Sequence, residues 1–341
     1  MSRAGAARKL ASAAALGGGG LSVLGASLYG VLKAEATLAR RTIGEVSGDP
    51  SPDATGWYGR GRPGPALKLA LLGDSSAVGY GVDVVEETPG SLLAAGVAEQ
   101  GDRRVYLRAF CVVGAVSADL KAQVDLALPI EPDVAIILIG ANDVTHATLP
   151  SESVRHLSES VRRLRAAGVA VVVGTCPDLG TIQPIVPPLK QLTRAWSRRL
   201  AAAQTIAVLS EGGRTVSLGS ILGPEFLAAP AVLFGPDQFH PSAEGYRKLV
   251  RVLLPSVLAA LDLAPEDEAV PETFRGEGTL PVTRAAVKAV SVPGTELDGS
   301  ETGHLHGVRG RLVEVRRRRR RAHTVGTAPE PAEVSDPAPQ Q

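Results

Sequence analysis

Cysteine, aromatic side chains and net charge are all scarce in this chain, and each shortage removes a class of function. The two cysteines, Cys111 and Cys176, are too few for a metal site of their own or for a disulfide framework, and the six histidines show no ligand spacing. No cofactor is implied. Lys and Arg number 36 against 35 Asp and Glu, so no overall basic field argues for a specific nucleic-acid partner. Aromatics make up 4%, while 38 glycines and 25 prolines suit small-residue packing and flexible ends. There is no Gly-x-x-x-x-Gly-Lys phosphate loop, no dinucleotide fingerprint and no internal repeat, which leaves a nucleotide binder without its anchor.

Charge is also missing from Leu10 to Leu32, a length that matches the roughly 20 residues needed to cross a bilayer as a helix. Six glycines in the run weaken such a helix in water, but in lipid an unpaired backbone costs far more than glycine does. The run is longer than the usual core of a cleavable signal, which favours an uncleaved anchor over cleavage at Ala34-Glu35-Ala36. Arg3, Arg8 and Lys9 before the run are nearly balanced by Lys33, Arg40 and Arg41 after it, so charge alone says little about orientation. Export of the body, to the cell membrane or wall, is the expectation adopted.

Four regions follow. Residues 1–41 read as a membrane anchor or signal, and 42–66 as a Gly/Pro-rich linker whose Trp57 and Tyr58 tack it to the domain surface. Residues 67–263 read as one folded domain and 264–341 as a disordered tail. The arginine run Arg316 to Arg321 in that tail reads as a solvated segment, with anionic lipid or another polyanion as the partner in the sharper reading.

Within the body, unbroken apolar runs alternate with helical periodicity. Strands are expected at Leu69 to Leu72, Val105 to Val113, Val134 to Ile139 and Val169 to Val173, with a short one at Thr215 to Leu218. Helices are expected at Pro89 to Gln100, Ser117 to Leu128, Ser151 to Ala167, Leu189 to Ala207 and Ser242 to Leu263, the last kinked or split by Pro255. Such alternation means βαβ units: an α/β fold with a parallel sheet between two helical layers.

Four short pieces then fall at strand or helix boundaries. Gly73-Asp74-Ser75 follows the first strand, Gly114 the second and Gly140-Ala141-Asn142-Asp143 the third, while Asp237-Gln238-Phe239-His240-Pro241-Ser242 precedes the closing helix. Singly, each has a plainer reading as a turn, a flexible backbone position, a capped strand exit or a surface histidine. Together they lie where a parallel sheet gathers its ligand-binding loops.

Their chemistry fits acyl transfer, which needs a nucleophile, a base, an orienter for the base, and donors for the oxyanion. Ser75 would be the nucleophile. Pro241 biases His240 away from helical dihedrals and keeps its ring free to act as general base, and Asp237 on the same loop can hold its tautomer. The backbone N–H groups of Ser75 and Gly114, with the side-chain amide of Asn142, would form the oxyanion hole. The loops Pro177 to Pro188 and Leu222 to Pro236, with Phe226 and Phe234, would shape an apolar acyl pocket.

The four pieces, in order and type, resemble the blocks of the SGNH (GDSL) hydrolase superfamily of esterases, lipases, thioesterases and carbohydrate deacetylases. The resemblance covers roughly Lys68 to Leu263. It implies a flavodoxin-like sheet of about five strands in the order 2-1-3-4-5, with Ser75, Gly114, Asn142 and His240 as the namesake residues and Asp237 completing the triad. With the anchor, the chain looks like an exported actinobacterial member. One departure is Ser76, where the family often has Leu. No Gly-x-Ser-x-Gly elbow occurs, which argues against the α/β-hydrolase family proper. In that strand order two strands separate Cys111 from Cys176, against a disulfide, and a thiol site at Cys176 with Asp178 lacks a nearby histidine.

The function expected is therefore a serine esterase acting on short- to medium-chain acyl esters or lipids through an acyl-enzyme. A cell-wall glycan O-deacetylase is the alternative among enzymes, and a non-catalytic membrane-tethered binding module the alternative outside them.

Overall fold

The computed structural model describes residues 34, 35, 37, 38, 51–263 and 296–298. The apolar run Leu10 to Leu32 and the arginines Arg316 to Arg321 lie outside them. Among the described residues no helix is long and apolar enough to cross a membrane.

One sheet organises the described chain. Its strands are β1 (Gly56–Tyr58), β2 (Leu67–Gly73), β3 (Val105–Ala109), β4 (Val134–Leu138), β5 (Ala170–Gly174), β6 (Arg214–Val216) and β7 (Glu296–Asp298), in the order β1-β3-β2-β4-β5-β6-β7. The inner five are parallel and, counted from β2, follow the expected order 2-1-3-4-5. β1 and β7 each add an antiparallel edge strand that the sequence did not suggest. Every residue of β4 and β5 is buried, as an apolar run covered on both faces must be.

The helices are α1 (Ser75–Val78), α2 (Pro89–Gln100), α3 (Leu120–Ala127), α4 (Ala141–Thr145), α5 (Pro150–Ala166), α6 (Leu189–Ser210), α7 (Leu218–Ala228), α8 (Pro230–Leu233) and α9 (Ala243–Ala260). Alternation along the strands divides the core in two. Leu69, Leu71, Ile136 and Val172 face Leu93 and Val97 of α2 and Leu253 and Val257 of α9. Ala70, Leu72, Ile137 and Val173 face Leu120 and Val124 of α3 and Leu157, Val161 and Leu164 of α5. Each such Leu, Ile or Val side chain, fully buried, contributes roughly 1.5–3 kcal/mol.

Several boundaries move for physical reasons. The ladder of β3 ends at Ala109 rather than Val113, yet the N–H groups of Phe110 and Val112 still donate to the carbonyls of Leu71 and Gly73, at 2.8 and 3.0 Å. The chain thus follows β2 to its end. The helix expected from Ser117 opens with a 3₁₀ turn, Ser117–Asp119, before α3 begins. Pro255 does not split the last helix: α9 runs through it, held by Leu253, Leu254, Val257 and Leu258 buried on either side. The segment read as a loop, Leu222 to Pro236, is largely the helices α7 and α8. Pro224 lies inside α7, and Pro230 opens α8, where its missing N–H costs nothing. In the stretch read as a linker, Trp57 and Tyr58 belong to β1. Tyr58 bonds Ala54 O at 2.7 Å and Ser91 Oγ at 2.9 Å, and the Trp57 ring lies 5.1 Å from that of Tyr106.

Candidate active site

At the carboxyl end of β2, Gly73 has φ +138, and a Cβ there would lie 1.9 Å from Leu138 O. Only glycine lets β2 leave the sheet so close to β4. The buried side chain of Gln123 on α3 holds that exit from the other side: its Oε1 accepts from Gly73 N at 2.7 Å and its Nε2 donates to Gly73 O at 2.9 Å. Asp74 follows, its N–H on Leu138 O at 3.0 Å and its carboxylate capping α1 through Ser76 N at 2.9 Å. Ser75 is therefore the first residue of a one-turn helix raised on a braced strand end, and its hydroxyl faces the loop before α9.

That loop is closed on itself. Gly235 N donates to His240 O at 2.8 Å, Ser242 N donates to Leu233 O at 2.9 Å, and Ser242 Oγ caps α9 through Gly245 N at 3.2 Å. One oxygen of Asp237 accepts the backbone N–H groups of Phe239 and His240, each at 3.0 Å, and the other lies 2.6 Å from His240 Nδ1. Burial works against the Asp237 charge, but the hydrogen bond from His240 and the two backbone donors outweigh it and hold the carboxyl below its ordinary range. An ionised carboxylate only accepts, so Nδ1 carries the proton and Nε2 is left to accept from Ser75 Oγ, 2.9 Å away. The rings of Tyr80 and Phe239, 4.5 and 4.8 Å from the imidazole, flank it. Three residues expected to work together, Ser75, His240 and Asp237, form one hydrogen-bonded line.

The other expected donors come from the loops after β3 and β4, the strands on either side of β2. Gly114 has φ +82 with open space where a Cβ would point. Among the described residues, the N–H groups of Ser75 and Gly114 have no acceptor. Asn142, on α4, uses Nδ2 to hold Ala115 O at 3.0 Å, which ties the two loops together and leaves a second amide proton. Asp143 makes the same tie deeper: buried, it accepts from Ser117 N and Ser117 Oγ, both at 3.0 Å. Sequence reasoning gave Asp143 no role and missed Gln123 and Gln204. Gln204 accepts from Cys176 N at 2.7 Å and donates to Ile139 O at 3.0 Å, bracing the ends of β4 and β5 as Gln123 braces β2. A signal existed: each glutamine sits at a helical position that the apolar spacing turns inward, beside Val124 and one turn from Val208.

Asp74 is buried, and desolvation raises its pKa to about 6 against the bonds from Ser76 and the attraction of His240. The Ser76 hydroxyl, where the resemblance expects an apolar side chain, adds one of those bonds. Beside it opens a cleft of ≈ 760 Å³ including its mouth, lined by Ser76, Leu179, Ile182, Leu222, Phe226 and Phe234 among others. Both segments expected to shape a pocket supply its walls. Neither thiol competes as nucleophile. Both are free; burial pushes Cys111 up to about 12 and Cys176 well above its ordinary value.

Residues 71–248 match the GDSL-like Lipase/Acylhydrolase family. The chain is 43% identical over 264 residues to the "GDSL-like esterase Rv1075c" of Mycobacterium tuberculosis, a match that covers 74% of this chain and 83% of that protein. Among solved structures, TesA is 19% identical with a TM-score of 0.47, over 57% of this chain and 99% of that one. A mutant of Axe2, an acetyl-xylooligosaccharide esterase from Geobacillus, is 18% identical with a TM-score of 0.45, over 58% of this chain and 95% of that one.

Proposed function

Because the chain belongs to the GDSL-like lipase/acylhydrolase family, we propose that this carboxylic ester hydrolase works through an acyl-enzyme on Ser75. The single observation that carries the proposal is the line from Ser75 Oγ through the His240 ring to Asp237, at 2.9 and 2.6 Å. His240 Nε2 takes the serine proton as Oγ attacks the ester carbonyl, and Asp237 steadies the imidazolium that forms. The oxyanion meets the N–H groups of Ser75 and Gly114 and the second amide proton of Asn142. His240 then protonates the leaving alcohol, and water, activated by the same nitrogen, releases the acid and restores the serine.

The apolar cleft supports an apolar acyl group rather than a bare acetyl on a polar glycan. At about 0.8 kcal/mol per buried methylene, kcat/KM should rise roughly fourfold for each carbon added until the cleft is full. An aryl-ester series of increasing acyl length, run beside acetylated glycan, separates the two substrates. For the uncharged run Leu10 to Leu32 we keep the reading of a membrane anchor that leaves the body outside the cytoplasm. A fluorophosphonate probe tests the chemistry. It should label the wild type and not Ser75→Ala, while the two chains unfold at the same denaturant concentration. Equal labelling of both would move the nucleophile to another side chain, and no labelling of a folded wild type would point to a binding module instead.

A further inference from the structure

A hydrogen bond ties the amino-terminal segment to the start of α6. Glu35 stands three residues after the end of the uncharged run Leu10 to Leu32, and its Oε2 accepts from Leu189 N, the first N–H of α6, at 2.9 Å. That N–H is one of the four at a helix start that lack an intrahelical partner, and a carboxylate suits the positive end of the helix. Three residues span at most about 11 Å. Glu35 itself is held at the start of α6. The segment leading into α6 is the same one that gives Leu179 and Ile182 to the cleft.

Large apolar side chains are exposed around this point. Val186 caps the approach to α6, its carbonyl accepting from Lys190 N at 2.9 Å, and Leu192 lies on the first turn. Trp196, one turn further on the same helical face, donates from Nε1 to Thr148 O at 3.3 Å, which brings exposed Leu149 alongside. Leu38, one turn beyond Glu35, is also exposed. Exposed apolar side chains gathered around one helix start mark a surface with a partner.

We infer that the partner is the bilayer entered by the run Leu10 to Leu32: Leu38, Leu149, Val186 and Leu192 rest in its interface, and the cleft draws its ester from that leaflet. This goes beyond the esterase reading, on which it rests, by setting the source of substrate. Chain connectivity selects a membrane over a second copy of the protein, because a span that ends three residues before Glu35, at most about 11 Å of chain, brings the lipid surface to this face. Lys190, next to the patch, has the length to carry its charge to the headgroups while its stem stays with the apolar side chains.

The test uses the full chain in vesicles of mixed neutral and anionic phospholipid that carry a long-chain fluorogenic ester, beside a short-chain ester in solution. In the double variant Leu149→Asp with Leu192→Asp, both sites being exposed, turnover of the soluble ester should stay within about twofold of wild type. Turnover of the vesicle-borne ester should fall at least tenfold, with the protein still floating with the vesicles. Equal turnover of the vesicle-borne ester by variant and wild type overturns the inference. So does a variant that changes only from dimer to monomer, which would assign the face to a second copy. Absence of soluble-ester turnover in the unsubstituted chain would instead overturn the esterase reading.

Discussion

Replacing Asp74 by Asn should make the protein less sensitive to pH above the acid range, and the size of the effect follows from the burial of that carboxyl. Its pKa is raised from an ordinary 3.8 to about 6 because the charge is desolvated under the β2 exit. Between those values the folded chain holds a proton that the unfolded chain has released. Stability from this group is thus greatest below the ordinary value and is lost as pH rises through about 6. At about 1.36 kcal/mol per pH unit the whole range is about 3 kcal/mol, of which about 2 kcal/mol falls between pH 4.5 and pH 8. Asparagine keeps the shape and the oxygen that caps Ser76, but it does not titrate. Urea unfolding followed by circular dichroism at pH 4.5 and pH 8 should show the variant gaining about 2 kcal/mol on wild type at the higher pH. Asp237 titrates with the opposite sign, its stabilising charge being lost as pH falls below its ordinary range, and it cancels because both chains carry it. Two chains whose stabilities change in parallel between the two pH values would refute the reasoning, since the carboxyl would then titrate alike in the folded and unfolded states.

Two further substitutions separate the proposed oxyanion donors from their scaffold. Asn142→Ala removes one donor and should lower kcat about 10²- to 10³-fold with KM little changed, as read by steady-state kinetics on a soluble ester; a loss within threefold would remove Asn142 from the oxyanion hole. Gln123→Leu fills nearly the same space but strips Gly73 N of its acceptor and leaves Gly73 O with the bond from Val112 N, so unfolding should be easier by about 1–3 kcal/mol, the cost of one orphaned buried group. An unchanged denaturation midpoint would mean that Gln123 does not brace the nucleophile's turn.

Much of the fold was legible because its signals are local. Val134 to Leu138 can bury five apolar residues only inside a sheet covered on both faces, and the alternation of such runs with helical spacing fixes a parallel α/β order. The edge strands were not legible, since β1 and β7 are each three residues long and owe their form to a neighbour's free edge. Nor were α7 and α8, whose prolines read as breakers until the core and cleft contacts of Leu218, Leu222 and Phe226 are seen to hold the helical turns in place.

For the site, the residue types at strand exits and before the closing helix were enough to single out Ser75, Gly114, Asn142, Asp237 and His240 as candidates. Each occupies a position where a chain leaving a sheet or entering a helix has a distinctive local need. The tertiary structure decided what no local pattern encodes. It set the 2.9 Å gap between residues 165 positions apart, the two buried glutamines that hold the strand ends, and the burial that drives Asp74 toward neutrality. Distance across a fold and removal from water are properties of the packed whole, and both are fixed only when separate elements come together.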